Sequence, residues 1–249
     1  MPRIDSASCF GRLLDWKNGG YCKISPVEDC QVSRRYIERT LVLESSFLSE
    51  KGEVRMLDFF AMRKGGAHKP LQQILRILEG VRGELEISLE CAPLFDYGAV
   101  RPWIRQKGDH FLAIGGQTGL LLSGLDCLRL EGRHKIRGTL QVKKGERHRF
   151  SILYGQPENL EEGLVIPPSN EAMDSRLDQT INWWRRWADQ GTFSGSEREM
   201  VIRSAIVLKG LSNAPTGAIA AAATTSLPEA PGGSRNWDYR FSWIRDCTQ

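Results

Sequence analysis

No stretch of this 249-residue chain approaches 18 consecutive apolar residues, and no apolar signal region opens it. Neither a helix spanning a bilayer nor secretion is therefore indicated, and the expected compartment is the cytoplasm, with no membrane partner. The six cysteines (Cys9, Cys22, Cys30, Cys91, Cys127 and Cys247) form no C-x-x-C pair. A chain of this length with 41% hydrophobic residues needs no disulfide frame, so free thiols are expected. The four histidines (His68, His110, His134 and His148) are far apart and show neither H-E-x-x-H nor H-x-H spacing, which argues against a metal site. There is no G-x-S-x-G elbow, phosphate loop or dinucleotide fingerprint. The run Gly115-Gly116-Gln117-Thr118-Gly119 has the wrong spacing and falls between strands. No cofactor is expected.

What charge there is has a mild positive excess, +4 at pH 7 with a pI near 8.8. The basic clusters Arg133-His134-Lys135 and Lys143 to Arg149 flank Gly132, Gly138 and Gly145, where solvated turns are expected, so nucleic acid is not an expected partner.

Residues 1 to about 166 read as all-β. Glu84 to Cys91 alternates almost without fault, with Leu85, Ile87, Leu89 and Cys91 toward a core. Leu41, Leu43 and Phe47, with Val54 and Met56, flank a hairpin turn at Ser49-Glu50-Lys51-Gly52. Thr139–Val142 and Phe150–Tyr154 bracket Lys143-Lys144-Gly145-Glu146, which reads as a second hairpin. Further strands are predicted near 111–114, 119–122 and 126–130. Segment 70–80 fits a strand or a short helix. Many short strands with frequent turns predict a β-sandwich over 1–166.

Ile166-Pro167-Pro168-Ser169-Asn170 marks a change of regime. Ser175 with Asp178 predicts a capping box, and Leu177, Ile181, Trp184 and Ala188 follow at helical spacing, widened by Trp183 and Trp187 and ended by Gly191. These tryptophans are expected to be packing anchors. A second capping box, Ser196 to Glu199, predicts a helix through Val201, Ala205, Leu208 and Leu211 with most of its circumference buried, stopped by Asn213-Ala214-Pro215. Small residues follow from Thr216 to Ala223, then a polar loop, Thr224 to Ser234.

Near the C-terminus, Arg235-Asn236-Trp237-Asp238-Tyr239-Arg240-Phe241-Ser242-Trp243-Ile244-Arg245-Asp246 alternates four aromatics with charged residues. Rings that cover the C–H face of a pyranose, beside Arg and Asp that reach its hydroxyls, suit a sugar. In an extended chain the rings share one side, and Asn236, Asp238 and Arg240 the other. The plainer reading is a strand followed by a helix start, with Arg and Asp paired for structure. A glycosidase carboxylate pair is assembled from distant segments, so spacing neither offers nor excludes one.

Four segments in order, Glu199–Lys209, Ala214–Ala220, Thr224–Glu229 and Gly233–Asp246, together resemble glycoside hydrolase family 15, the microbial glucoamylases, glucodextranases and trehalases of that family. Upstream, Arg3–Asp15 and Arg34–Glu44 resemble its N-terminal β-domain. The resemblance implies a supersandwich-like β-domain over 1–166, a helical linker over 167–195, and the truncated start of an α/α toroid over 196–249. It also implies inverting hydrolysis of α-linked glucosides, of trehalose or maltooligosaccharide type, by two glutamates that lie beyond residue 249. Carried over by the same motif, Arg245 and Asp246 bind the outer hydroxyls of the non-reducing glucose and Trp243 walls the pocket. No catalytic residue is expected in this chain. It therefore reads as an N-terminal fragment, inactive alone, whose partners are the α-glucoside and a complementing C-terminal catalytic part. Its uncovered apolar surface is expected to favour aggregation or complementation. Two alternatives are a stand-alone β-sandwich that binds carbohydrate or a partner, and a fragment of a maltose or trehalose phosphorylase-like enzyme. The Asn-Trp-Asp-Tyr-Arg run favours the hydrolases.

Overall fold

The computed structural model describes residues 3–63, 65–67, 70–223 and 230–244. Its strands are β1 (Tyr21–Pro26), β2 (Gln31–Tyr36), β3 (Leu43–Leu48), β4 (Gly52–Phe60), β5 (Gln73–Ala92), β6 (Trp103–Lys107), β7 (His110–Gly115), β8 (Thr118–Ser123), β9 (Arg129–Glu131), β10 (Lys135–Lys143) and β11 (Arg147–Gly155). Helices α1 (Pro157–Glu161), α2 (Asn170–Ala188) and α3 (Arg198–Gly210) follow. The expected order, β first and α after, is observed. Segment 70–80, open between strand and helix on its sequence, forms the start of β5.

All the strand pairs are antiparallel and are organised by β5, which is 20 residues long. Its first part pairs with β4 and β11, its last part with β1 and β10. One wing of the sheet runs β2-β3-β4-β5-β11-β8-β7-β6, and the other carries β1, β10 and β9. Alternating residues from both wings meet in one core. Phe47, Val54, Met56, Leu78, Phe150 and Ile152 come from the first wing, and Ile24, Leu85, Ile87, Leu89, Cys91, Ile136 and Val142 from the second. The alternation read at 84–91 thus does what period two requires.

The bend between the wings lies at Gly80–Gly83. The Gly80 N–H donates to the Glu146 carbonyl (3.0 Å), the Gly145 N–H to Gly80 (2.8 Å) and the Lys144 N–H to Gly83 (2.8 Å). A register shift at Glu53/Val54 accommodates the corner on the β4 side. A Cβ on Gly80 would overlap the Lys143 carbonyl oxygen. One on Gly83, whose φ is +55, would overlap that of Lys51. The corner also corrects one expectation. β10 and β11 are not a hairpin: β10 pairs with the late half of β5 and β11 with the early half. The Lys143–Glu146 turn crosses the bend, so its two strands enter different wings. The 49–52 hairpin, by contrast, forms as read, joining β3 to β4.

The outer face of the first wing is covered by α2. Met173 and Leu177 pack on Val42, Leu57, Phe59, Leu75 and Ile77, none more than 4% exposed. Helix α2 starts earlier than the capping box at Ser175 predicted. Ser169 is the cap, its Oγ accepting from the Ala172 N–H at 3.2 Å. The preceding Pro167-Pro168 disfavours helix for what lies before it, and Ser169 is the first residue free to cap. Ser175 lies inside the helix, where its Oγ accepts from Gln179 Nε2 (3.0 Å).

Beside the apolar patch, on the same face, charges alternate across five strands. Arg35 meets Glu44 (2.6 Å), Glu44 meets Arg55 (3.5 Å), and Arg55 meets Glu79 (2.7 Å). Glu79 pairs with Arg147, which reaches Asp174 of α2 (3.2 Å); Asp174 in turn takes the Arg149 Nε–H at 3.0 Å. Arg147 and Arg149, read as part of a solvated basic cluster, are paired with carboxylates. Two buried polar contacts fix the helix further: Arg176 donates to Gln73 (2.6 Å), and the Met62 N–H to Thr180 Oγ1 (2.9 Å).

Helix α3 departs most from expectation. Its cap is Glu197 with no side-chain hydrogen bond, so the Ser196–Glu199 box does not form. Ile202 and Ile206 are its buried residues, packing with Trp184 and Ala188 of α2 beside Trp183 and Trp187. Trp183 and Trp184 contact edge to face at 4.9 Å, as packing anchors do. Met200, Val201, Val207 and Leu208 are exposed. Contrary to expectation, most of its circumference is therefore not buried: the helix has two apolar faces, and α2 covers one of them.

Gly80→Ala should cost about 3 kcal/mol or more, because strand and turn backbone must separate to admit the methyl. Gly145→Ala, at φ +85 with nothing within 4 Å, should cost only about 1 kcal/mol; urea denaturation of both variants checks the contrast. A second expectation concerns acid. The Arg149 hydrogen bond holds the Asp174 carboxyl below its ordinary value of 3.8. A depressed folded value stabilises above the unfolded one and is lost as pH falls through the folded one. Asp174→Asn should thus cost about 1 kcal/mol at neutral pH, after solvent screening, with the gap to the unsubstituted chain closing below about pH 4.

Candidate functional site

Arg240 ties the aromatic run to the β-domain. Past α3 the chain turns at 214–216, the Asn213 N–H donating to the Ala218 carbonyl (2.7 Å). The N–H groups of Ala221 and Ala222 then donate to the carbonyls of Phe241 (3.0 Å) and Tyr239 (2.7 Å), closing the intervening loop. Within the run Arg240 is the anchor. Its guanidinium forks onto Asp238, with Nε–Oδ1 at 3.0 Å and Nη2–Oδ2 at 2.7 Å. Nη1 donates to the Ser6 carbonyl (3.1 Å), and the group lies over the Tyr97 ring at 5.6 Å. The Arg240 hydrogen bond pulls the Asp238 carboxyl below its ordinary range, and Asp238 raises Arg240 in return.

This corrects the reading of the run as extended. Residues 239–240 form a turn, not a strand. The Asp238 side chain that caps the turn accepts from the Arg240 N–H at 3.0 Å. Asp238 and Arg240 grip each other and the N-terminal segment, as the plainer structural reading of the pair anticipated. The rings divide accordingly. Tyr239 and Trp243 stack, 4.8 Å between centroids and 14° between planes, whereas Trp237 and Phe241 are exposed. Trp243, expected to wall the sugar pocket, is half-buried at the end of that stack. Arg245 and Asp246, the other two expected sugar ligands, lie outside the described residues, as does most of the Thr224–Ser234 loop.

A cleft of about 480 Å³ is elsewhere. It lies between β11 and the start of α2, lined among others by Ser123, Asp126, His148, Arg149 and Asn170. None of its lining residues belongs to the run. An apolar groove of about 240 Å³ separates the end of α2 from α3, lined by Trp187, Phe193, Val201 and Ile202. Among the described residues no group of three or more His, Cys, Asp or Glu is placed to hold a metal ion. None of their helices is long and apolar enough to cross a membrane. Reading the sequence alone missed the Arg240–Ser6 tether, which joins positions 234 residues apart. It also left β1, β2 and β6 unassigned.

Fold and run together describe an antiparallel β-domain joined to helices and to an aromatic segment that Arg240 ties back to it. Residues 1–126 match the model of the trehalase-like N-terminal domain, and residues 195–249 that of glycosyl hydrolases family 15. The chain belongs to glycosyl hydrolases family 15, with the trehalase-like N-terminal domain of that family. Among curated relatives, a trehalase of Thermoplasma volcanium is 32% identical over 249 residues, 99% of this chain and 39% of its own. A trehalase of Mycobacterium tuberculosis is 32% identical over 274 residues, 100% and 39% respectively. Trehalase 1 of Sulfolobus acidocaldarius is 34% identical over 249 residues, 100% and 40%. The chain thus spans about two fifths of the length of the curated relatives it matches.

If Arg240 is the tether, Arg240→Met should free the run. Hydrogen exchange at the Ala221 and Ala222 amides should quicken by a factor of about 5, the equivalent of roughly 1 kcal/mol. Asp238→Asn, which leaves the Ser6 bond, should have a smaller effect.

Proposed function

We propose that this chain is the N-terminal part of an inverting glycoside hydrolase acting on α-linked glucosides, with trehalose as the first candidate substrate. The observation that carries the reading is collinearity: resemblance to curated trehalases covers 99–100% of the chain, from the β-domain through the helices to the aromatic run. In this reading residues 1–166 are the β-domain, 167–195 a helical linker and 196–249 the opening of an α/α toroid. The exposed Met200, Val201, Val207 and Leu208 of α3 support it, because an opening toroid helix needs a second helical neighbour. Trp243, Arg245 and Asp246 would hold the non-reducing glucose: a ring against its C–H face, a fork and a carboxylate on its hydroxyls.

Inverting hydrolysis needs a proton donor and a water-activating carboxylate on opposite faces of the bond, about 6.5–9.5 Å apart. The wall formed by the run binds glucose without supplying that pair, so residues 1–249 alone are inactive. Joined to the catalytic part, the β-domain positions the run through Arg240 so that binding energy is spent at the scissile bond.

Incubated with trehalose, maltose or isomaltose, the 249-residue chain should release no glucose; release would refute the assignment of the catalytic pair to another segment. Fused to the remaining length of the Thermoplasma volcanium trehalase, it should hydrolyse trehalose. In that fusion Arg245→Ala or Asp246→Ala should lower kcat/KM about 100-fold or more, the cost of an unmet charged hydrogen bond. Hydrolysis of maltose in place of trehalose would reassign the substrate.

A further inference from the structure

Within the core shared by the two wings, a polar cluster faces inward. Cys22 of β1 stands directly opposite Cys91 of β5 in the antiparallel register. Such opposed residues have Cα atoms about 4.5–5.5 Å apart, inside the roughly 4.4–6.8 Å range a disulfide spans. From the other half of β5, Arg76 reaches across the core. Its Nη1 donates to the Cys22 carbonyl at 2.8 Å and lies 3.2 Å from Cys22 Sγ, while Nε pairs with Asp58 of β4 at 2.7 Å. Cys91, on a central strand, has no exposure. Cys22, on the edge strand, is partly exposed as a residue, but its thiol is enclosed like that of Cys91. A third buried thiol, Cys9, borders the pair and is 5% exposed.

The groups facing Cys22 act in opposite senses, and the sum is clear. The hydrogen bond from Cys91 and the charge of Arg76 outweigh burial and Asp58, holding the Cys22 thiol below its ordinary value of 9.0. Burial, and the hydrogen bond it gives to Cys22, push Cys91 well above. One thiol is thus disposed to be a thiolate and its neighbour to remain protonated, the arrangement an attacking and a resolving cysteine require.

We propose that Cys22 and Cys91 form a redox-modification site, in which Cys22 is the attacking thiolate for a peroxide and Cys91 resolves the product to an intramolecular disulfide. The Cys22 sulfur attacks a peroxide oxygen, the O–O bond breaks, and a sulfenic acid forms with release of hydroxide, which takes up the proton Cys22 had lost. The Cys91 sulfur then attacks Cys22, the S–O bond breaks, and water leaves with the Cys91 proton. Two thiols and one hydrogen peroxide become one disulfide and two waters. The bond ties the edge strand β1 to β5, closing a loop from residue 22 to residue 91 and adding to the stability of the β-domain.

The test treats the whole chain with hydrogen peroxide and maps peptides without reduction. A cross-link between the peptides holding Cys22 and Cys91, and a melting temperature raised by oxidation and restored by dithiothreitol, are expected. In Cys91→Ala the reaction should stop at a Cys22 sulfenic acid trapped by dimedone. Should that variant not fold, alkylation of the unsubstituted chain decides: at pH 7 iodoacetamide should label Cys22 at least about tenfold faster than Cys30 and Cys127. Oxidation of Cys30, Cys127 or Cys247 ahead of Cys22, no cross-link in a folded chain, or equal labelling rates would each overturn the assignment.

Discussion

The bend in β5 is the constraint from which the rest of the domain follows. A single strand serves both wings, so its two halves must leave the corner with their inward residues facing one another. Only a backbone without side chains admits the Lys51 and Lys143 carbonyls at that bend, which is why Gly80 and Gly83 stand there. With the corner in place, Leu78 and Leu85 point into the same core from different wings. The wing-to-wing contact of Arg76 with the Cys22 carbonyl becomes possible for the same reason.

The outer face shows two kinds of interaction with different weights. Burying side chains of the size of Met173, Leu177, Leu57 and Phe59 is worth about 1.5–3 kcal/mol each. Partly exposed ion pairs are worth about 0–1 kcal/mol each. Adhesion of α2 is therefore hydrophobic. The ladder from Arg35 to Asp174 selects the position along the sheet at which adhesion occurs, since a displaced helix would leave Asp174 and Arg149 without partners. Arg39, with φ +58, reaches from the β2–β3 turn to Asp189 (3.0 Å) and Glu199 (3.3 Å), extending the same hold to α3.

The candidate site depends on this hold at one remove. Arg240 ties the aromatic run to Ser6 and Tyr97 of the β-domain, and Tyr239 stacks on Trp243 immediately beside that tether. In a glycosidase an error of about 1 Å in the placing of a sugar is expensive. If the run holds a sugar as proposed, a β-domain that itself fixes its position is a physical reason for such a domain to accompany a catalytic one.

Much of this was legible in local patterns. Alternation at 84–91 marked the core face of β5, the spacing of Leu177, Trp184 and Ala188 marked the buried stripe of α2, and ordered motifs in 199–246 pointed to the family. Periodicity reports which side of an element is apolar, because that depends only on the helix or strand repeat. It does not report which neighbour covers that side. Hence β10 and β11 looked like a hairpin until β5 claimed one for each wing, and most of the circumference of α3 looked buried although α2 covers only one of its apolar faces. Pairing of Asp238 with Arg240 was one reading of the sequence, but Ser6 and Tyr97, distant in sequence, could not be named as the groups that turn Arg240 toward the protein. By itself the sequence determined the order of β before α, the inward face of the strongly periodic elements and the family. Only the tertiary structure decided partners, since these depend on residues tens to hundreds of positions apart meeting in space.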